Sequence, residues 1–496
     1  MAGAAAAGPS GTVSARRARV LLPIAGLAVL DYAVPPGMDV SPGDLVRVPL
    51  GKRRLVGVVW DAAASGGRDV PAAKLKPIAE RLDLPGLDAA ARRFIQWVAH
   101  YYVASANSVL RMALSVPAAF EPAPVAKRVR RGTAAPARLT AARAKVLTAL
   151  APGEALSVRA LALRAGVSEG VVRGLVAHGA LETVAVPADA AYRPPDPSRA
   201  GPSLSAEQQV AARVLVGAVR ARRYRAFLLE GVTGSGKTEV YFEAIAAALA
   251  QAAGQVLVLV PEIGLTTQWL ERFAARFGAP PVLWHSDLGV AERRRAWRAV
   301  NSGTARVVVG ARSALFLPFV GLRLIVVDEE HDPSFKQEDG LCYNARDMAV
   351  VRAHLTGCPV VLASATPSLE TVHNCLSGRY GRVHLPSRFG AAELPAITAV
   401  DMRRQPMPSG RWLSPPLVQA MAETLARGEQ ALLFLNRRGY APLTLCRSCG
   451  ERLECPQCTA WLVEHRFAGR LVCHHCGFAR PVPKACPSCA ASDSLV

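Results

Sequence analysis

The sequence predicts a multidomain α/β protein, and three observations divide it into parts of different character. Short β-rich stretches separated by Pro and Gly turns come first, over residues 19–120. Apolar strand-like runs and helical patterns then alternate between residues 204 and 388, which is typical of a parallel α/β lobe. Finally, eight of the 11 cysteines lie in C-x-x-C pairs near the end. The 496 residues suffice for three or four domains.

Composition narrows the class of partner and the compartment. The chain carries 59 Lys and Arg against 38 Asp and Glu, a formal charge of +21, which favours a polyanionic partner. The basic residues are spread over several segments, so nucleic acid fits better than a membrane surface. Residues 1–18 lack the charged start and long apolar stretch of a signal peptide, and no run of about 18 uncharged apolar residues follows. We expect a disordered tail, 1–18, on a cytoplasmic protein.

The first two folded segments are predicted to be a β-rich domain and a winged helix. The hairpin-like stretches of 19–120 predict a small barrel, followed within the same domain by a helix over 94–105. A linker rich in Pro, Arg and Ala, 121–138, comes next. Residues 139–190 have the order helix, helix, Gly-Val-Ser turn, helix and strand of a winged helix, which either contacts DNA or serves as a spacer. A second Pro-rich linker, 191–203, leads to the α/β lobe.

A phosphate-binding loop is predicted near the start of the α/β lobe, 204–388. GVTGSGKTEVY follows the strand-like AFLLE and opens a helical segment, which is the context that such a loop requires. Backbone N–H groups would hold the phosphates, Lys237 would reach the β and γ oxygens, and Thr238 would hold Mg²⁺. A plain glycine-rich turn, the alternative, rarely matches eight residues in this context. The predicted nucleotide-binding residues are Gly231, Val232, Thr233, Gly234, Ser235, Gly236, Lys237 and Thr238.

The carboxylates of DEEH complete the predicted nucleotide site. LRLIVVDEEHD is a β-branched run that ends in acidic residues, as expected of a buried parallel strand presenting side chains at its carboxyl end. We expect Asp328 to hold Mg²⁺ and Glu329 to orient or deprotonate the attacking water. Glu330 and His331 would link the site to its surroundings. An exposed acidic turn is the alternative, but together with the phosphate loop the pattern predicts a RecA-like motor lobe that hydrolyses ATP.

The cysteine block predicts two zinc sites. Four C-x-x-C pairs in a reducing compartment are typical of metal ligands rather than of disulfides. Eight thiolates satisfy two tetrahedral four-cysteine sites, with no open position for catalysis. Spacing alone does not decide which pairs meet, but the inner four cysteines match a zinc ribbon and would leave the outer four to each other. The inner set is Cys455, Cys458, Cys473 and Cys476, and the outer set is Cys446, Cys449, Cys486 and Cys489.

Several motifs together resemble one protein family. They are GVTGSGKTEVY, VPEIGLT, GARSALF, DEEHD, SATPSLE, FLNRRGYAP, the eight-cysteine block, and PPGMDVSPGDLVRVPLGKRRLVGVVW near the start. The set is similar to primosomal protein N′, the PriA family of bacterial replication restart helicases in superfamily 2. The resemblance implies a β-rich DNA-binding domain for the 3′ end of a nascent strand. It also implies an ATP-dependent 3′-to-5′ DNA helicase that recognises stalled or abandoned forks and initiates primosome assembly.

The resemblance also implies partners and a location. The expected ligands are forked and single-stranded DNA, ATP with Mg²⁺, and two Zn²⁺. The implied protein partners are primosome accessory proteins, single-stranded DNA-binding protein and the loader of the replicative helicase. We expect a monomer in the cytoplasm, associated with the nucleoid and not with a membrane.

Matched positions within the motor lobe give three further candidate residues. Gln208 in LSAEQQ sits where the family reads adenine. Ser364 and Thr366 of SATPSLE occupy the segment that couples hydrolysis to DNA movement. Each residue could instead be an ordinary helix or turn residue.

Matched positions also give candidate DNA contacts. Asp31 and Tyr32 match the pocket for the terminal 3′ nucleotide, where a carboxylate is a strong acceptor for a sugar hydroxyl. Leu30 replaces the aromatic residue that usually precedes this aspartate, and a turn-capping Asp is the alternative. Phe335 and Tyr343 lie in the counterpart of an aromatic-rich loop that senses single-stranded DNA by stacking, which requires exposed rings.

The sequence departs from the family pattern at its end. We expect the second lobe to begin over 389–445, to carry the cysteine module over 446–489 and to resume at 490–496. No GTQM-like or QxxGRxGR-like motif follows, although an arginine at such a site is often worth about 10³–10⁵ in rate. The sequence therefore predicts a C-terminally truncated helicase or, alternatively, a non-catalytic fork-binding scaffold. A zinc-ribbon transcription or repair ATPase is a third interpretation.

Overall fold

The computed structural model divides the chain into two compact units, Met1–Ala392 and Glu393–Val496. Every described helix is too short or too polar to cross a membrane. The described residues are 16–60, 71, 74–122, 125–136, 138–187, 191–261, 267–389, 396–402, 413–434, 443–458, 460–465, 469–492 and 494–495.

An antiparallel five-stranded sheet and two helices begin the first unit. Their bounds are β1 (Arg17–Leu21), β2 (Leu30–Ala33), β3 (Leu45–Leu50), β4 (Arg53–Val59), β5 (Glu80–Arg81), α1 (Ala89–Tyr101) and α2 (Ala106–Ala113). The sheet order is β2-β1-β4-β3-β5, and a bridge between Ala33 and Pro77 brings its edges together, as expected for a small barrel. The predicted disordered tail over 1–18 is wrong at Arg17 and Ala18, which belong to β1; its residues 1–15 lie outside the described residues.

The next domain is a winged helix with one more strand than predicted. Its elements are β6 (Val125–Arg131), α3 (Ala141–Ala149), α4 (Val158–Ala165), α5 (Glu169–Ala177) and β7 (Leu181–Pro187). β6 pairs with β7 along its whole length, so the prediction of a linker over 121–138 is wrong. Val129 of β6 is buried against the three helices, while its basic neighbours remain outside. The basic composition of VAKRVRR concealed this period-2 pattern.

A parallel α/β lobe completes the first unit. Its elements are α6 (Ala206–Ala221), β8 (Ala226–Gly231), α7 (Lys237–Leu249), β9 (Gln255–Leu259), α8 (Thr267–Phe277), β10 (Val282–Trp284), α9 (Val290–Asn301), β11 (Val307–Gly310), β12 (Leu322–Asp328), β13 (Lys336–Gln337), β14 (Tyr343–Asn344), α10 (Ala345–Thr356), β15 (Val360–Ser364), α11 (Leu369–Leu376) and β16 (Gly381–Leu385). Seven strands pair in parallel in the order β10-β11-β9-β12-β15-β8-β16, which confirms the predicted RecA-like lobe. The carboxyl ends of β8, β15 and β12 therefore lie side by side.

Within the first unit, the N-terminal domain packs directly on the lobe. The Trp297 indole N–H of α9 donates to the Ala113 carbonyl at 2.8 Å, and the Asn301 side chain donates to the Pro85 carbonyl at 2.9 Å. One buried apolar cluster runs through both parts and includes residues of α1, α2 and α10. α1 is consequently held beside the hairpin of β13 and β14.

The second unit contains one described helix and a small antiparallel sheet. They are α12 (Pro415–Ala426), β17 (Val463–His465), β18 (Arg470–Val472) and β19 (Ala479–Pro481). The sheet order is β17-β18-β19. Most of the FLNRRGYAP motif, 435–442, lies outside the described residues, as does 262–266 of VPEIGLT in the first unit.

Candidate functional site

The phosphate loop joins β8 to α7 at the carboxyl edge of the parallel sheet. Gly234 and Gly236 have φ angles of +82° and +83°, a left-handed conformation that strains other residues. A Cβ at Gly231 would lie 2.5 Å from Ser235 Oγ and 2.9 Å from Leu385 Cβ, so the loop has no room for a side chain there. No described side chain caps α7 at Gly236, which leaves its first N–H groups available to an anion.

Lys237 lies at the start of α7 and folds back over the loop. Its Nζ donates a hydrogen bond to the Gly231 carbonyl at 2.8 Å. Burial lowers the pKa of Lys237, and the carboxylates of Glu329 and Asp328 oppose this shift. The ammonium group is therefore held inside the loop by a carbonyl that a phosphate oxygen could replace with a stronger, charge-assisted bond.

Asp328 ends β12 and is nearly surrounded by protein. The Tyr241 hydroxyl of α7 donates to Asp328 Oδ2 at 2.8 Å and itself accepts the Trp269 indole N–H at 2.7 Å. Burial raises the pKa of Asp328, and the hydrogen bond from Tyr241 opposes this shift. Asp328 and Thr238 line one cavity, and their carboxylate and hydroxyl oxygens are the hard ligands that suit Mg²⁺.

Glu329 follows directly and has a strained backbone. Its φ of 48° is left-handed, which is uncommon for a residue other than glycine and concentrates at functional sites. Glu329 Oε2 lies 3.7 Å from His331 Nδ1, which in turn lies 2.8 Å from Ser364 Oγ. The Thr366 N–H donates to the same Ser364 oxygen at 3.0 Å. These contacts connect the end of β12 to the SATPSLE segment after β15.

Glu330 forms a second connection between these segments, and its side chain is fully buried. It accepts hydrogen bonds from the Ser368 N–H at 2.7 Å and from the Thr371 hydroxyl at 3.0 Å, both at the start of α11. Arg346 of α10 lies 3.4 Å from the same carboxylate and also donates to Asp347 at 2.8 Å. The carboxylate thus joins α10 and α11 to the carboxyl edge of the parallel sheet, which we call the nucleotide edge because the phosphate loop lies there.

A cavity of about 400 Å³ opens in front of these groups. Gln208, which lines it, accepts the Ser205 N–H through its side-chain oxygen at 2.9 Å and donates to the Ser235 carbonyl at 2.8 Å. It therefore anchors the phosphate loop, and one N–H and one lone pair of its amide remain for a base. The cavity is lined by Pro202, Ser203, Leu204, Gln208, Thr233, Gly234, Gly236, Lys237, Thr238, Glu239, Arg272, Asp328, Glu329 and Phe389.

The predicted pocket for a 3′ end lies on β2. The Asp31 side chain is 7% exposed, with Arg19 at 3.7 Å and Arg17 at 3.9 Å. Within the described residues, Asp31 Oδ1 is buried and accepts no hydrogen bond. Tyr32 is buried in the domain core and donates its hydroxyl to the Pro49 carbonyl at 3.1 Å, so its ring does not face a ligand. Period-2 alternation explains this difference, because adjacent strand residues point to opposite faces.

The predicted aromatic loop is folded inward. Phe335 and Tyr343 are only 2% and 1% exposed, and the Tyr343 ring packs edge-on against Phe316 with centroids 5.2 Å apart. The expectation that these two residues present exposed rings is therefore wrong. The physical reason is that the short hairpin of β13 and β14 packs on the lobe core, where burying two large rings is favourable.

The eight cysteines of the second unit form two clusters. Within each cluster the four Sγ atoms all lie within 4.8 Å of one another. Neighbouring Sγ atoms are 3.7 Å apart in the outer cluster and 3.5 Å apart in the inner one. A tetrahedral site with Zn–S bonds of about 2.3 Å requires about 3.8 Å between sulfurs, so both clusters fit zinc. The outer cluster is Cys446, Cys449, Cys486 and Cys489, and the inner one is Cys455, Cys458, Cys473 and Cys476.

Comparisons with known proteins agree with these modules. The model of a PriA 3′DNA-binding domain matches residues 19–115, and that of a DEAD/DEAH box helicase matches 207–375. The model of the PriA DNA helicase Cys-rich region matches 455–481. Replication restart protein PriA of Rickettsia conorii is 36% identical over 481 residues, 97% of this chain and 63% of that protein. The chain belongs to the PriA family.

Two further PriA proteins show the same relationship. That of Haemophilus influenzae is 35% identical, over 96% of this chain and 66% of its own length. That of Bacillus subtilis is 43% identical, over 58% of this chain and 36% of its own length. The chain thus spans somewhat under two thirds of the length of the Rickettsia and Haemophilus relatives.

One contact in this PriA chain was not expected from the sequence. The phosphate loop and the DEEH strand are joined through Tyr241, the last residue of GVTGSGKTEVY, and Trp269 supports its hydroxyl. A tyrosine four residues after Lys237 on a helix next to a buried aspartate was the available signal, but the pairing with Asp328 depends on strand order.

Proposed function

We propose that this chain is an ATP-dependent DNA helicase that moves 3′ to 5′ and acts at stalled or abandoned replication forks. The observation that carries the proposal is that the phosphate loop, Asp328 and Glu329 line a single cavity. Nucleotide binding, charge neutralisation and water activation therefore have one place to occur. The names of the PriA relatives and the helicase model over residues 207–375 support DNA as the substrate.

Hydrolysis would use the groups already in place. Lys237 would leave the Gly231 carbonyl and donate to the β and γ oxygens of ATP, while the first N–H groups of α7 hold the phosphates. Thr238 and Asp328 would hold Mg²⁺, which supplies charge neutralisation when bound. Glu329 would orient or deprotonate the attacking water, since its side chain is half exposed at the cavity.

The two connections behind the site would couple hydrolysis to DNA movement. A shift of the Glu329 segment would reach Ser364 through His331, and Ser364 Oγ also accepts the Thr366 N–H. Glu330 carries the same movement to α10 and α11.

The N-terminal domain would recognise the 3′ end of a nascent strand. Asp31 has a buried oxygen without a hydrogen-bond donor among the described residues, flanked by two arginines. A 3′ hydroxyl would supply that donor, and Arg17 and Arg19 would favour the phosphate that follows it. The zinc clusters would stabilise the second unit. The protein partners of the chain would be primosome accessory proteins, single-stranded DNA-binding protein and the helicase loader.

Fork binding and turnover test the proposal together. Fluorescence anisotropy should show tighter binding to a fork with a free leading-strand 3′ hydroxyl than to one blocked by a 3′ phosphate. The preference should disappear in Asp31→Ala but persist in Asp39→Ala, a matched control whose carboxylate is exposed in the same domain. Equal affinity of the unaltered chain for both forks would overturn the 3′-end assignment. Glu329→Gln should keep ATP binding and lose turnover, whereas retained turnover would overturn the role of Glu329.

A further inference from the structure

A stripe of exposed residues on α1 has no role in the site already described. The aromatic stripe consists of Arg93, Gln96, Trp97, His100 and Tyr101. These positions follow the three- and four-residue spacing of one helix face. All except the half-buried Trp97 are exposed, whereas the opposite face of α1 packs into the core. The stripe carries two large rings, an imidazole and a guanidinium, and contains no carboxylate.

The two large rings form a pre-built flat surface. Trp97 and Tyr101 are stacked with centroids 4.8 Å apart and planes at 13°, and Tyr101 is 61% exposed. Tyr102 meets Tyr101 edge-on at 5.0 Å and fixes it from the side. An exposed ring held in a stack loses rotamer freedom before a ligand arrives, and an exposed aromatic surface is the kind on which bases stack.

The backbone at the end of α1 is held in a strained conformation. Val103, the residue after the Tyr102 cap, has a φ of 51° and is 95% exposed. A β-branched residue in this left-handed conformation is strained, and such strain concentrates at binding sites. The Tyr102 hydroxyl accepts the Asn344 N–H at 3.1 Å, which ties this helix end to the hairpin of the motor lobe.

The stripe also lies next to the elements that lead to the nucleotide site. Asn344 caps α10, and Arg346 of the same turn contacts Glu330. The hairpin itself offers no exposed ring at Phe335 or Tyr343, since both are buried. We propose that the aromatic stripe of α1 is a base-stacking site for single-stranded DNA. The inference rests on the proposed function, because it takes DNA as the ligand of the chain.

The chemistry of the stripe favours a nucleic acid over a protein surface. The Tyr101 ring, backed by Trp97, can stack on any base, and Arg93 adds positive charge one turn before Trp97. Gln96 and His100 can hydrogen-bond to base edges or phosphates. The formal charge of +21 on the whole chain attracts a polyanion to this face as to others.

The test compares two substitutions of one exposed ring in the full chain. Tyr101→Leu removes the π face and keeps apolar bulk, whereas Tyr101→Phe keeps the ring and is the matched control. Binding to a fluorescein-labelled oligothymidylate is measured by anisotropy at several salt concentrations. Tyr101→Leu should weaken binding about tenfold and Tyr101→Phe by less than about twofold. The slope of log Kd against log salt should not change, since no phosphate contact is removed.

A second measurement uses the unaltered chain and does not depend on the folding of a variant. Photo-crosslinking to an oligonucleotide containing 5-iododeoxyuridine should give adducts at Trp97 or Tyr101, located by mass spectrometry. Adducts confined to other segments would overturn the proposal that the aromatic stripe stacks on bases, and so would equal affinity of Tyr101→Leu and Tyr101→Phe for DNA. Both results are expected if the stripe binds a protein instead. Failure of the unaltered chain to bind any DNA would instead overturn the proposed function.

Discussion

Replacing Glu330 with glutamine tests whether one buried carboxylate holds α10 and α11 to the nucleotide edge. Its Oε2 faces three donors, namely the hydroxyls of Ser368 and Thr371, each at 3.0 Å, and Arg346 at 3.4 Å. In Glu330→Gln the amide NH₂ group would face either these three donors or, in the other orientation, the Ser368 N–H, which Glu330 Oε1 accepts at 2.7 Å. The two hydroxyls can rotate to accept, but neither a guanidinium nor a backbone N–H can. Losing the charge-assisted bond should cost about 2–4 kcal/mol, below the full cost of breaking a buried ion pair because Arg346 keeps Asp347.

Native-state amide hydrogen exchange measures this loss of stability at individual residues. A global unfolding measurement would not serve, since a chain of several domains has no single unfolding transition. The Val372 N–H donates to the Ser368 carbonyl at 3.0 Å at the start of α11. Its exchange should accelerate by about 30- to 1000-fold in Glu330→Gln. Glu370→Gln is the matched control, because Glu370 faces the same Arg346 at 3.8 Å but is 73% exposed. We expect less than about threefold acceleration there. Equal acceleration in both variants would refute the reasoning.

Three further predictions address other parts of the molecule. Metal analysis should find about two Zn²⁺ per chain and about one in Cys455→Ser, because the clusters share no ligand; loss of both ions in this variant would contradict separate sites. Iodoacetamide should modify the exposed Cys342 of the folded chain but not the buried Cys358, because burial raises the pKa of Cys358 to about 12. Mass spectrometry of the labelled peptides identifies the modified cysteine, and labelling of Cys358 would contradict the prediction. Val103→Gly should stabilise the end of α1 by about 0.5–1 kcal/mol, because glycine relieves the left-handed strain. Native-state exchange of the Tyr102 N–H, which donates to the Val98 carbonyl at 3.0 Å, should slow by about two- to fivefold, and faster exchange would contradict the reasoning.

The parallel lobe and its nucleotide edge follow from local sequence. An apolar run such as LRLIVVD is typical of a buried parallel strand, and its last residue then reaches the carboxyl edge beside the phosphate loop. The grouping of the cysteines was favoured by spacing because the inner loop is short enough to close on itself. Local pattern favours both features, and for the cysteines the structure decides between the pairings that spacing leaves open.

The features that sequence reasoning missed depend on distant contacts. Strand β6 forms because its partner β7 lies about fifty residues later, and its basic residues gave it the composition of a linker. Phe335 and Tyr343 are buried because the lobe core and α1 cover them, although the local sequence reads as an exposed loop. Conversely, the sequence predicts a plain helix around Tyr101, and the stacking of this ring on Trp97 is visible only in the structure.

ATP hydrolysis by the 496-residue chain, with and without forked DNA, tests the central claim most directly. Lys237→Ala is the blank, because it removes the ammonium group from the phosphate loop and does not alter the proposed DNA contacts at Asp31 and Tyr101. The arrangement of Lys237, Asp328 and Glu329 around one cavity predicts turnover that rises with forked DNA and is abolished in Lys237→Ala. Tight fork binding by the unaltered chain with no turnover would contradict a motor and leave a fork-binding scaffold.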